Sequence, residues 1–72
     1  MKKKYLKKPR IKEGEKFRYY DRCLWHIVGM MKDGDTDLVV IKSWNKYKQA
    51  WMYKAETKSM LQWWFDNYNK HF

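Results

Sequence analysis

The run Leu38-Val39-Val40-Ile41, entered through Lys32-Asp33-Gly34-Asp35, constrains this chain more than any other stretch. Branched side chains favour the pleated strand. An Asp-Gly pair between two apolar runs is a hairpin signal, because glycine tolerates positive φ. Two strands cannot bury an apolar face in water by themselves, so the rest of the sequence must provide neighbours. Lys16 to Tyr20 is rich in Phe and Tyr, and Asp21-Arg22 makes a tight turn into Leu24 to Met31. Asp37 to Trp44 is the best β-former run, and Asn45 to Lys48 is polar and turn-like. Gln49 to Lys54 then alternates, with Trp51 and Tyr53 on one face and Ala50 and Met52 on the other.

The period changes near the C-terminus. Ser59 with Gln62 three residues on is a capping-box pattern, and Leu61, Trp64, Phe65, Tyr68 and Phe72 recur at helical spacing. The expected order is β-β-β-β-α, an α+β fold that is mostly β. It is a four-stranded antiparallel meander curled into a small open barrel, SH3-like in general character, with one C-terminal helix across it. Leu24, Val28, Val40, Met52, Leu61, Trp64 and Tyr68 are the expected core. Trp63, Trp64 and Phe65 are consecutive and cannot all point inward. Trp63 is the ring expected to stay exposed, as a surface for a partner or for homo-oligomer formation through the helix.

At 72 residues the chain holds one domain and one core. The net charge is +9, from 17 Lys and Arg against 8 Asp and Glu. Lys2, Lys3, Lys4, Lys7, Lys8, Arg10 and Lys12 all precede the first acidic residue, Glu13, leaving ten basic against eight acidic groups in the remainder. Residues 1–12 therefore read as a basic N-terminal arm and residues 13–72 as the domain. Such an arm raises affinity for polyanions by releasing their counterions, with little sequence preference. Its plain alternative is a solubilising tail.

Several chemistries find little support. Cys23 is the single cysteine, which leaves no intramolecular disulfide and fits a reducing, cytoplasmic setting. Metal binding needs three or four spaced ligands, and one cysteine with the distant His26 and His71 does not provide them. His26 lies three residues from Cys23, which argues against a nucleophile–base pair on a regular strand. The acidic run from Asp33 to Asp37 has its glycine second and Trp44 at the twelfth position, so it reads as a hairpin turn and not a calcium loop. No apolar run approaches the length of a membrane span, and no cofactor or membrane role is expected.

The segment with most to say about function is Lys42-Ser43-Trp44-Asn45-Lys46-Tyr47-Lys48-Gln49-Ala50-Trp51. Lysine heads can meet phosphates while rings stack on bases. The candidate ligand residues are Lys42, Trp44, Lys46, Tyr47, Lys48 and Trp51. The bland alternative is cross-strand packing by Trp44 and Trp51 beside solvated lysines. The expectation is a non-enzymatic binder of a phosphate-rich ligand, nucleic acid or a signalling nucleotide. The excess of Lys over Arg, with frequent Tyr and Asn, fits an AT-rich genome and a phage or mobile-element accessory protein of the counter-defence kind. The alternative is a protein-interaction module, an inhibitor or adaptor of a host protein docking through surplus exposed aromatics such as Trp63.

Removing residues 1–12 is expected to weaken binding to any polyanion. The slope of log affinity against log salt should shrink by about 0.7–0.9 per lost phosphate contact. Titration of the full and shortened chains across a salt series checks this, and an unchanged slope assigns the arm to solubility.

Overall fold

A computed structural model describes residues 9–68, without the side chain of Tyr68. Of the basic arm, Lys2, Lys3, Lys4, Lys7 and Lys8 lie outside the described residues, as do His71 and Phe72. The elements are β1 (Lys16–Arg18), β2 (Leu24–Asp33), β3 (Thr36–Asn45), β4 (Ala50–Thr57) and α1 (Lys58–Tyr68). The strands pair antiparallel in chain order, giving an open sheet with β1 and β4 as its outer strands. The fold is α+β, mostly β, with one C-terminal helix, as the sequence pattern predicts.

Each turn has a local cause. Arg22 takes φ +66° in the β1–β2 turn, where the Asp21 carboxylate accepts from the Cys23 amide at 3.0 Å. Asp33 pairs with Thr36, so the β2–β3 connection is the two residues Gly34-Asp35, with Gly34 at φ +65°. Between β3 and β4, Asn45 Oδ1 accepts from the amides of Tyr47 and Lys48, and Gln49 closes the loop at φ +53°. Thr57 caps the helix by accepting from the Met60 amide at 3.2 Å. The expected cap at Ser59 is therefore corrected to Thr57, and Ser59 sits inside the first turn.

The core is Phe17, Tyr19, Trp25, Ile27, Val39, Ile41, Leu61 and Phe65. Leu61 and Phe65 lie four apart, on one face of the helix, and both are fully buried. Phe65 meets Phe17 edge-on at 5.0 Å, Phe17 meets Tyr19 at 5.5 Å, and Tyr19 meets Trp64 at 5.4 Å. Trp64 is only partly buried, and its indole donates to the Arg18 carbonyl at 2.9 Å. Ser43, buried on the same side of β3, donates its hydroxyl to the Leu24 carbonyl at 2.8 Å. At the margin, Lys54 donates to the Tyr20 hydroxyl at 2.9 Å and lies within 5.3 Å of the rings of Tyr19, Tyr20 and Trp25. Burial pulls the Lys54 ammonium down, but the Tyr20 hydrogen bond and the charges of Tyr20, Glu56 and Asp21 more than offset it, leaving a net rise.

This core corrects the sequence expectation on the sheet. Leu24, Val28 and Met52 are exposed and Val40 is half-buried, while the alternate residues Trp25, Ile27, Val39 and Ile41 face the helix. The reason in β2 is a bulge. Counting back from the Gly34-Asp35 turn, Gly29 pairs with Val40, but Ile27 pairs with Ile41, so Val28 is an extra residue. A one-residue shift turns every later side chain to the other face. It delivers Trp25 and Ile27 to the helix and sends Leu24 and His26 away from it. The bulge is braced from outside: the Gly14 amide donates to the Ile27 carbonyl at 2.9 Å, and the Ile27 amide donates to the Glu15 carbonyl at 2.8 Å. Ile11 packs on the core from the same segment. A chain shortened to begin at Pro9 thus removes five of the seven arm charges and spares these contacts.

Phe65→Ala is expected to lower the unfolding free energy by about 3–5 kcal/mol, and Leu24→Ala by about 1 kcal/mol. Urea titration of both variants checks the assignment; equal costs would mean that the helix covers the other face.

Candidate binding face

One 11-residue helix covers one side of the sheet. No described helix or strand covers the other side, and strand register decides what stands on it. Lys16 pairs with His26, His26 with Lys42, and Lys42 with Tyr53, so these four form one row across all four strands. The next row toward the β3–β4 loop holds Arg18 opposite Leu24 and Trp44 opposite Trp51. Beyond it the loop carries Lys46, Tyr47 and Lys48. Of the strand residues that register assigns to this side, the one acidic residue is Asp33, at the distant β2–β3 turn.

The rings are in contact and still reach solvent. Trp44 meets Trp51 at 5.4 Å and 72°, and His26 meets Trp51 at 5.4 Å and 88°. Trp44 remains 47% exposed, Trp51 38% and Tyr47 89%. Cross-strand packing and exposure therefore hold together for the two tryptophans. The Lys42 ammonium sits 4.3 Å from the centre of the Trp51 ring, and Lys46 sits 5.8 Å from that of Tyr47. An open cleft of about 560 Å³ lies at the end of the sheet beside the β1–β2 and β3–β4 turns; Arg18, Leu24, His26 and Trp44 line it from this face, Trp25, Ser43 and Met52 from the helix-covered side, and Asp21, Lys46 and Tyr47 from the turns.

All six residues singled out from the sequence lie on this side or in its loop: Lys42, Trp44 and Trp51 on the strands, Lys46, Tyr47 and Lys48 between them. Arg10 and Lys12 of the arm are exposed. Trp63 is half exposed on the helix, across the sheet from this face, beside the equally exposed Met60. The structure adds Lys16, Arg18, His26 and Tyr53, which segment-by-segment reading passes over. Their signal was phase. Once Trp25 and Ile27 are inside, His26 between them has to be outside, and pairing then brings Lys16, Lys42 and Tyr53 beside it.

Burial lowers the pKa of His26, and the neighbouring Lys16 and Lys42 charges lower it further. At neutral pH the residue is a flat, uncharged ring, one more face among the aromatics. Tyr19, behind the sheet, is pushed well above the usual phenol range by burial and by the Glu56 carboxylate, and it stays protonated. Among the described residues, no group of three or more His, Cys, Asp or Glu is placed to hold a metal ion. No described helix is long and apolar enough to cross a membrane. Comparison with known proteins adds nothing to this geometry: no family model matches the chain, and neither a curated protein nor a solved structure gives a significant match.

The His26 shift has a consequence for stability. A base whose folded pKa lies below its unfolded value takes up protons more readily when the chain unfolds, so acid favours unfolding. Stability should be complete above the ordinary value of 6.5 and should fall as pH drops through it toward the lowered one. His26→Gln is expected to flatten that part of the profile, as checked by thermal melts between about pH 5.5 and 7.5.

Proposed function

We propose that this chain is a non-enzymatic binding protein for a phosphate-rich ligand, nucleic acid or a nucleotide, and that the bare sheet face is where it binds. The observation that carries this reading is the company the rings keep. Trp44, Trp51, His26 and Tyr53 share one face with Lys16, Arg18 and Lys42, and the strands contribute no acid to it except the distant Asp33. Rings alone would suit an apolar protein partner, and lysines alone a salt-sensitive patch. Together they match a ligand that is flat and apolar on one side and anionic on the other. The arm adds a long-range, nonspecific attraction.

The cytoplasm is the compartment that suits an exposed, unpaired Cys23. The lysine-rich composition of the chain suits an accessory protein of a phage or mobile element, with counter-defence as the corresponding role. A second reading rests on the helix, where Trp63 and Met60 are exposed three positions apart. That pair suits an inhibitor or adaptor surface for a host protein, or a second copy of the chain.

Tyr47 separates the readings best, since it lies in a loop and is 89% exposed. Tyr47→Ala is expected to leave the melting temperature nearly unchanged and to weaken binding by about 1–3 kcal/mol. Lys46→Glu with Lys48→Glu should weaken it further, most at low salt. Tryptophan fluorescence reports both, since Trp44 lies beside the loop. A parent protein that binds neither nucleic acid nor nucleotide at moderate salt would transfer the function to the helix surface.

A further inference from the structure

We infer that the ligand is single-stranded nucleic acid laid across the bare sheet face, and not a duplex or a lone nucleotide. This inference rests on the reading above and narrows it to one ligand class.

Duplexes are disfavoured by shape. In a duplex the base faces are stacked on one another, and a protein meets only base edges in the grooves. The chemistry on this side of the sheet is ring faces, which need unstacked bases. The sheet also fits a groove badly. Four strands span about 14 Å between the outer two, before any side chain is added, whereas the major groove is about 12 Å wide and admits a helix or a two-stranded ribbon.

A lone nucleotide is disfavoured by repetition. Rings and cations recur in three successive stations: Tyr47 with Lys46 and Lys48 in the loop, Trp44 and Trp51 with Arg18, then His26 and Tyr53 with Lys42 and Lys16. The two strand stations are two residues apart, about 7 Å along the sheet. A mononucleotide fills one station. Successive nucleotides of an unstacked strand fill several, each with a base on a ring and a phosphate near a cation.

The stations are not equivalent. Lys42 already lies over Trp51 at 4.3 Å, and Trp44 and His26 both abut the same indole. Trp51 therefore holds the platform together and positions Lys42. Tyr47, Tyr53 and Trp44, the more exposed rings, are the ones left to stack on bases, one in each station.

Fluorescence anisotropy tests this with the full chain at moderate salt. The probes are labelled single strands of about ten nucleotides, DNA and RNA, and the same sequence as a duplex; a mononucleotide and heparin serve as competitors. The single strand is expected to bind about tenfold or more tighter than the duplex, and heparin and the mononucleotide to compete weakly. Tyr47→Ala and Trp44→Leu, each checked for an unchanged melt, should erase most of that preference and leave a salt-sensitive remainder. Equal affinity for duplex and single strand, or equal competition by heparin, would overturn the single-strand inference while leaving polyanion binding intact. Saturation by the mononucleotide at the single strand's affinity would overturn it in favour of a nucleotide site. If no probe binds, the inference fails together with the function proposed above.

Discussion

A four-stranded sheet has two faces, and the described residues include one helix to cover them, so one face is left without a helix. Which face that is depends on Val28. As the extra residue in β2, it reverses the phase of the strand between the hairpin turn and the β1 pairing. Trp25 and Ile27 are thereby aligned with Ile41 under Leu61 and Phe65, and His26 joins Lys42 outside. Without that bulge the helix would meet Leu24, His26 and Val28 on β2 while still meeting Val39 and Ile41 on β3. The apolar side would then contain an imidazole opposite Ser43, and the ring cluster on the bare side would lose a member. The bracing of Ile27 by Gly14 and Glu15 shows how the phase is held. It uses both backbone groups of the residue just before the bulge, at a place where β1 has already ended.

Much of the architecture was legible because it is encoded locally. Gly34 marks its turn by tolerating φ +65°, Asn45 marks the next by its short acceptor side chain, and the helical spacing of Leu61 and Phe65 needs no tertiary information. The helix cap was misplaced by two residues because Ser59 and Thr57 are both good caps, and only the strand end decides between them. The sheet core was harder. Leu24, Val28, Val40 and Met52 are plausible core residues by side chain alone, and alternation leaves the choice of face open. The choice is made by pairing and by one inserted residue, neither of which is a property of any single segment. Gly29 beside the bulge is the faint local sign of it. The candidate ligand residues Lys42 to Trp51 lie near one another because they belong to a single hairpin and its loop. His26, Lys16 and Tyr53 come from other strands, and only the register reveals them.

The bare face also shows how a small protein can keep aromatic rings in water without losing its fold. Trp44, Trp51 and His26 shield one another edge to face, and Lys42 covers part of what remains. Each contact removes some apolar surface from solvent. The cluster is therefore preformed, which limits what has to be ordered when something binds. The same contacts take up ring area, so the most useful surface moves outward to Trp44 and the loop.

Lys54 has a consequence of another kind. Strand β4 ends the sheet, and its outer edge, Ala50–Thr57, is a row of backbone donors and acceptors. Such an edge is a template for fibre growth. Lys54 stands on its inward side, held among Tyr19, Tyr20 and Trp25 and paired with Glu56 at 3.6 Å. An added strand that extended the apolar layer beneath the helix would have to close over this ammonium and strip away the water it retains. Growth from the edge would thus meet the cost of burying an ion pair. The same lysine that borders the core thus disfavours the addition of a strand to the edge.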